Sequence, residues 1–192
     1  GVQFLNPFSS IEINDCNYTG NASGNGGGGL FCISDCDVAI FDSRFTNNVS
    51  VVSENSITRG GAVFAGGIWD PNAFEWYNGG NIHVEESFFG SNRAAFGGGI
   101  AWQGDAAISI TNSVLSNNTA EHGGAMFWTG GSPLIKDNSF TGNQAKARWF
   151  RPDDLITRLP SSSFFSLTFG EAIPETARGG GGATFCWSSD AV

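Results

Sequence analysis

Apolar and polar positions alternate with a period of two along five stretches of the chain. The five stretches align without gaps over eleven residues, beginning at Ile11, Val38, Ile82, Ile108 and Pro133. Those five residues form the first column. The third column is Ile13, Ile40, Val84, Ile110 and Ile135, and the eighth is Tyr18, Phe45, Phe89, Leu115 and Phe140. A period of two is strand spacing, because successive strand side chains point to opposite faces. No stretch carries the 3.6-residue pattern of an amphipathic helix.

Two further columns set the bends. The sixth holds small or polar residues: Cys16, Ser43, Ser87, Ser113 and Asn138. The eleventh is asparagine every time: Asn21, Asn48, Asn92, Asn118 and Asn143. Asparagine tolerates left-handed backbone geometry at a bend, and its amide can donate to the next asparagine above. A buried asparagine ladder is therefore expected. A glycine pair follows each stretch, starting at Gly27, Gly60, Gly97, Gly123 and Gly181. Such a pair marks a bend where a Cβ would clash or φ must be positive.

Where nothing is inserted, the stretches start 27, 26 and 25 residues apart. One such repeat cannot bury its apolar face alone, so the repeats must stack. Roughly 25 residues per turn with three short strands describes an all-β chain wound as a parallel β-helix of about five coils. Each strand then pairs with its equivalent about 4.8 Å away, which makes a rod on the order of 24 Å long.

The columns also carry a resemblance. Phe-x-x-Asn at Phe45 to Asn48, Phe89 to Asn92 and Phe140 to Asn143 is followed by Gly-Gly-Ala at Gly60, Gly123 and Gly181. This resembles the repeat of the chlamydial polymorphic outer membrane proteins and related surface β-helix proteins. Tyr18 and Leu115 replace Phe in two coils, and Gly29 and Gly99 replace Ala in two. The resemblance implies a right-handed β-helix, secreted or on a cell surface, with adhesive or structural use. It brings no catalytic motif and no membrane-inserting barrel.

Composition narrows the classes. The chain has 192 residues, with 9 Lys plus Arg against 18 Asp plus Glu and a formal net charge of −9. It lacks the basic face that nucleic acid demands. No window approaches the roughly 18 apolar residues of a membrane span. The 28 Gly follow no three-residue period, which excludes collagen, and the 17 Phe argue against disorder. Residues 1–192 read as one β-helix segment. Val2 fits the position of Leu30, and Gly182 to Trp187 repeats the pattern around Met126. Neither end carries a polar cap of the kind solenoids use, so the sequence reads as part of a longer rod or filament.

Four cysteines allow three pairings. Cys32 and Cys186 share a column but sit about four coils apart, on the order of 19 Å, too far for a bond. Cys32 and Cys36 flank a turn and are the favoured pair, with Cys16 as rival partner for either. Sequons occur at Asn17, Asn21, Asn48 and Asn117. Asn17 and Asn117 are the better acceptors, being read as exposed turn positions in a glycoprotein. Cysteines and sequons together favour an extracellular setting.

Function, if local, belongs to the insertions at 49–59, 65–81 and 144–178. The second carries Trp69, Phe74, Trp76 and Tyr77 near Asp70 and Glu75, which suits a glycan platform or a protein contact. The fifth column, Asp15, Asp42, Glu86, Asn112 and Asp137, reads as exposed turn residues. Its sharper reading is a weak Ca²⁺-binding stripe on Asp15, Asp42, Glu86 and Asp137; no other cofactor is implied. His83 beside Glu85 and the Glu121-His122 pair read as solvated. After each glycine pair two adjacent columns are both apolar, and a strand cannot point both inward. Phe31, Phe64, Phe127 and Phe185 are thus expected to form an exposed or covered stripe that packs against partner chains. The reading that results is a non-enzymatic extracellular structural or adhesive β-helix, packing with other protein chains or copies. Its alternative is a carbohydrate-binding or polysaccharide-degrading β-helix protein.

Overall fold

The computed structural model describes residues 3–5, 9–24, 26–33, 36–51, 58–66, 68–70, 75–77, 80–104, 107–129, 133–145 and 184–187. Among these the chain is all-β, with no helix. Three sheets of parallel strands account for most of it. The first sheet contains Gln3–Leu5, Leu30–Ile33, Val63–Gly66, Ile100–Gln103, Met126–Thr129 and Thr184–Trp187. The second contains Ser10–Asn14, Asp37–Phe41, Ile82–Glu85, Ile108–Thr111 and Leu134–Lys136. The third contains Asn17–Thr19, Arg44–Thr46, Phe88–Gly90, Val114–Ser116 and Ser139–Thr141.

The register follows the sequence columns. Ile13, Ile40, Val84, Ile110 and Ile135 are successive partners across the second sheet. Tyr18, Phe45, Phe89, Leu115 and Phe140 do the same across the third. Alternate residues of all three sheets meet in one hydrophobic core that includes Leu30, Val63, Ile100 and Met126 from the first sheet. Tyr18 stacks on Phe45 at 4.7 Å and Phe45 on Phe89 at 5.1 Å, each pair nearly coplanar. Trp102 stacks on Trp128 at 5.1 Å, and neither buried indole N–H finds an acceptor among the described residues. In the first strand the register differs from expectation by one residue: Gln3, not Val2, lies opposite Leu30, which puts Phe4 opposite Phe31 and Leu5 opposite Cys32.

Three kinds of bend join the sheets. At the asparagine bend, each Nδ2 donates to the Oδ1 of the next asparagine, from Asn21 through Asn48, Asn92 and Asn118 to Asn143, at 2.9–3.0 Å. The backbone N–H of Asn21, Asn48, Asn92 and Asn118 donates to that same Oδ1. The other amide hydrogen of Asn48, Asn92, Asn118 and Asn143 goes to a carbonyl of the previous coil, at Tyr18, Phe45, Phe89 and Leu115. Burial of the amide is thereby fully compensated in the middle coils. The ladder residues do not themselves take the left-handed geometry the sequence suggested for them. It belongs to the residue before: Gly20, Asn47, Ser91, Asn117 and Gly142. The chain turns at that exposed position, and the turn aims the next side chain inward.

The second bend has a ladder of its own. Ser43 Oγ accepts from the Cys16 N–H, Ser87 Oγ from Ser43, Ser113 Oγ from Ser87, and Asn138 Oδ1 from Ser113, at 2.8–3.1 Å. Each of the three serine hydroxyls donates to the carbonyl two residues earlier. The preceding fifth column, Asp15, Asp42, Glu86, Asn112 and Asp137, is left-handed throughout, with φ of 48° to 56°.

The third bend is made by the glycine pairs, whose two members do different work. Gly60 has φ +62°. Gly61 sits so close to the neighbouring coil that a Cβ would lie 2.1 Å from the Gly98 carbonyl oxygen. Backbone hydrogen bonds such as Gly61 N–H to Gly97 O and Ala62 N–H to Gly99 O tie the coils together there.

Candidate functional site

Because the interior is filled with apolar columns and self-satisfied ladders, chemistry must come from outward-facing groups. Of the two states expected for the phenylalanine stripe, exposed or covered, its middle is covered. Phe64 and Phe127 are only 5% and 6% exposed, and Phe31 is half-buried. With Ala101 they form a second, smaller apolar cluster outside the first sheet, packed against Ile33 and Phe96. Phe96 meets Phe127 edge-on at 4.8 Å and stacks on His122 at 5.0 Å. The corner residues before the glycine pairs therefore fold over the stripe. Phe185 is placed by register alone, opposite Phe127.

His122, expected in solvent, is half-buried in this corner. Burial pushes its imidazole below the ordinary value, partly opposed by the Glu121 carboxylate. Arg59 lies with its guanidinium 5.9 Å from the Phe64 ring centre, and burial lowers its pKa as well.

In the second insertion, Trp69 lies opposite Trp76 and Ile68 opposite Tyr77 in an antiparallel pair of Ile68–Asp70 with Glu75–Tyr77. Phe74 lies outside the described residues, as do 52–57 of the first insertion and 146–178 of the third. Cys32 and Cys36 are joined by a disulfide with Cα atoms 5.9 Å apart, both buried. Cys16 is free and exposed. Of the sequon residues, Asn117 is an exposed left-handed bend. Asn17 is exposed too, but in a strand, where its Oδ1 accepts from the Thr19 hydroxyl at 2.8 Å. Asn48 is buried and Asn21 half-buried in the ladder. The fifth-column carboxylates are exposed, and among the described residues no three His, Cys, Asp or Glu converge on a common point.

The outer face of the second sheet carries a feature that no single repeat reveals. Ala39, His83 and Ser109 stand in register on three successive strands and face outward. The short side chains beside His83 leave a shallow open trough of about 380 Å³. Ser10, Asp37 and Asn81 line its edge. Asp37 Oδ1 accepts from the Asn81 N–H at 3.0 Å and from Asn81 Nδ2 at 2.8 Å, and Asn81 Oδ1 accepts from the Ala107 N–H at 3.0 Å. His83 Nε2 lies 3.7 Å from Glu85 Oε2, and its ring is 5.3 Å from that of Phe41. Sequence reading placed His83 correctly as outward but missed the trough, whose signal is the alternation of small and large residues down one outward column.

No protein-family model, curated protein or solved structure matches the chain.

Proposed function

We propose that the chain is a right-handed parallel β-helix of about five coils, three strands to a coil, that serves as a non-enzymatic structural or adhesive rod outside the cell. Its resemblance to the polymorphic outer membrane protein repeat points the same way. The observation that carries the reading is the pairing of each repeat with the next, strand for strand, in three parallel sheets with two continuous side-chain ladders. Such an interior is spent on stiffness: every buried amide of the middle coils is committed to a neighbour. The Cys32–Cys36 disulfide fits an oxidising compartment.

Packing with partner chains is the second part of the reading. The phenylalanine stripe lends it little support, because Phe64 and Phe127 are buried within the chain. Support comes from Leu134–Lys136 and Ser139–Thr141, the last strands of the second and third sheets. Ile135 and Phe140 are half-buried there, whereas Ile110 and Leu115 in the adjoining coil are fully buried, and Leu134 is 55% exposed. Among the described residues no strand pairs with the outer edge of either strand, and an unpaired strand edge beside apolar side chains is a template for further pairing. Sedimentation across a range of concentrations tests this. The expected result is reversible assembly that Leu134→Asp abolishes with the circular dichroism spectrum unchanged. A chain that remains monomeric at high concentration overturns the packing reading.

A further inference from the structure

The trough on the second sheet has hydrogen-bonding capacity that the described residues leave unused. Asp37 commits Oδ1 to Asn81, while Oδ2 has no partner among the described residues. The Ser10 and Ser109 hydroxyls donate to none of the described residues, and Asn81 Nδ2 has a second hydrogen to give. Beneath these groups lies a floor of Ala39, the His83 ring and the backbone of the strands, which is mostly apolar. A concave surface with an apolar floor and a few convergent polar groups is the general form of a small-ligand site, and about 380 Å³ is within the usual range.

The spacing of the polar groups selects the ligand. They recur once per strand, about 4.8 Å apart along the stacking direction. That is close to the rise of one pyranose ring in an extended glycan. A pyranose also presents the matching chemistry, with an apolar C–H face and hydroxyls around its rim. Charge selects among glycans. Asp37 lines the trough, Glu85 lies 3.7 Å from His83, Glu12 stands in the same outward column, and the whole chain carries −9, so a polyanion is repelled.

We propose that this trough binds a neutral oligosaccharide laid along the stacking direction, with His83 beneath a sugar ring and Asp37, Asn81, Ser10 and Ser109 on its hydroxyls. Ala39, His83 and Ser109 span about three rings, one per strand. The proposal goes beyond the rod reading and does not depend on assembly with other chains.

Calorimetric titration of the full chain tests it. The probes are neutral β-linked pentasaccharides of glucose, N-acetylglucosamine, mannose and xylose, with an oligogalacturonate of equal length as the anionic counterpart. Saturable binding of at least one neutral probe is expected, with the oligogalacturonate at least about tenfold weaker. His83→Ala is expected to weaken binding about tenfold by removing the ring under the sugar. Ser109→Trp fills the trough and should abolish binding while thermal unfolding stays unchanged, because position 109 faces outward. Ala39→Trp fills the other side and serves if Ser109→Trp fails to fold. The proposal is overturned if no neutral probe binds, if the oligogalacturonate binds as tightly, or if both filled variants bind as the parent does.

Discussion

The asparagine bend and the glycine bend turn the chain through comparable corners by opposite means. At Asn92 a side chain fills the corner: its Oδ1 accepts two hydrogen bonds from Asn48, and its Nδ2 donates to Asn118 and to the Phe45 carbonyl. At Gly61 the corner is filled by the neighbouring backbone, and any side chain would intrude on it. The first corner depends on a group being present and the second on a group being absent. Loss and addition of atoms should therefore have opposite consequences at the two places.

Gly61→Ala is the strongest way to break the glycine corner. A Cβ 2.1 Å from the Gly98 oxygen, and 2.5 Å from the Arg93 nitrogen, forces two coils apart at backbone level. The destabilisation should exceed about 3 kcal/mol, and soluble folded protein should be largely lost. Gly24→Ala is the control, since a Cβ there meets nothing within 4 Å; its denaturant midpoint should stay close to that of the parent.

Asn92→Ala breaks the asparagine corner from the other side. It leaves the Asn48 N–H and one Asn48 amide hydrogen buried without the acceptor they share, and it takes from the Phe45 carbonyl the bond that Asn92 donates. The expected cost is about 4 kcal/mol, read from denaturant unfolding. Asn92→Asp sharpens the test. A carboxylate keeps both acceptor bonds and loses both donor bonds, so it should recover only part of the stability at neutral pH.

The serine bend sits between these extremes. Ser87→Ala removes the acceptor of the Ser43 N–H and the donor to the Glu85 carbonyl. One buried N–H is orphaned and no volume is added, so the expected loss is about 2 kcal/mol by the same measurement. A loss as large as that of Asn92→Ala would mean that the two ladders carry equal weight.

How much of this was readable in advance depended on how uniform each column is. The asparagine ladder could be read because asparagine recurs at all five positions. The serine ladder could not, because Cys16 and Asn138 stand at its ends and only three members share a hydroxyl. The left-handed residues were displaced by one from the expected asparagines, because their column mixes Gly, Asn and Ser and the geometry leaves no single chemical mark. Burial of Phe64 and Phe127 depends on Phe96 and His122, which lie outside the repeat columns. The trough exists only when Ala39, His83 and Ser109 are stacked side by side, which is a property of register and not of any repeat.

The smallest effect concerns the left-handed position that opens the serine bend. Asp15, Asp42, Asn112 and Asp137 there are residues that tolerate φ near +50°, but Glu86 at φ +49° is not. Its longer side chain cannot make the local backbone hydrogen bonds by which Asp and Asn relieve this conformation. Glu86→Asn should therefore raise stability by about 0.5 kcal/mol, visible as a small rise in thermal midpoint. Asn112→Glu should lower it by a similar amount, since it imposes the same strain one coil away. Equal and opposite shifts would show that the bend is held by backbone geometry. If Glu86→Asn leaves the midpoint unchanged while Asn112→Glu lowers it, the Asn112 side chain itself is stabilising, and the serine bend then resembles the asparagine bend more closely than the glycine one.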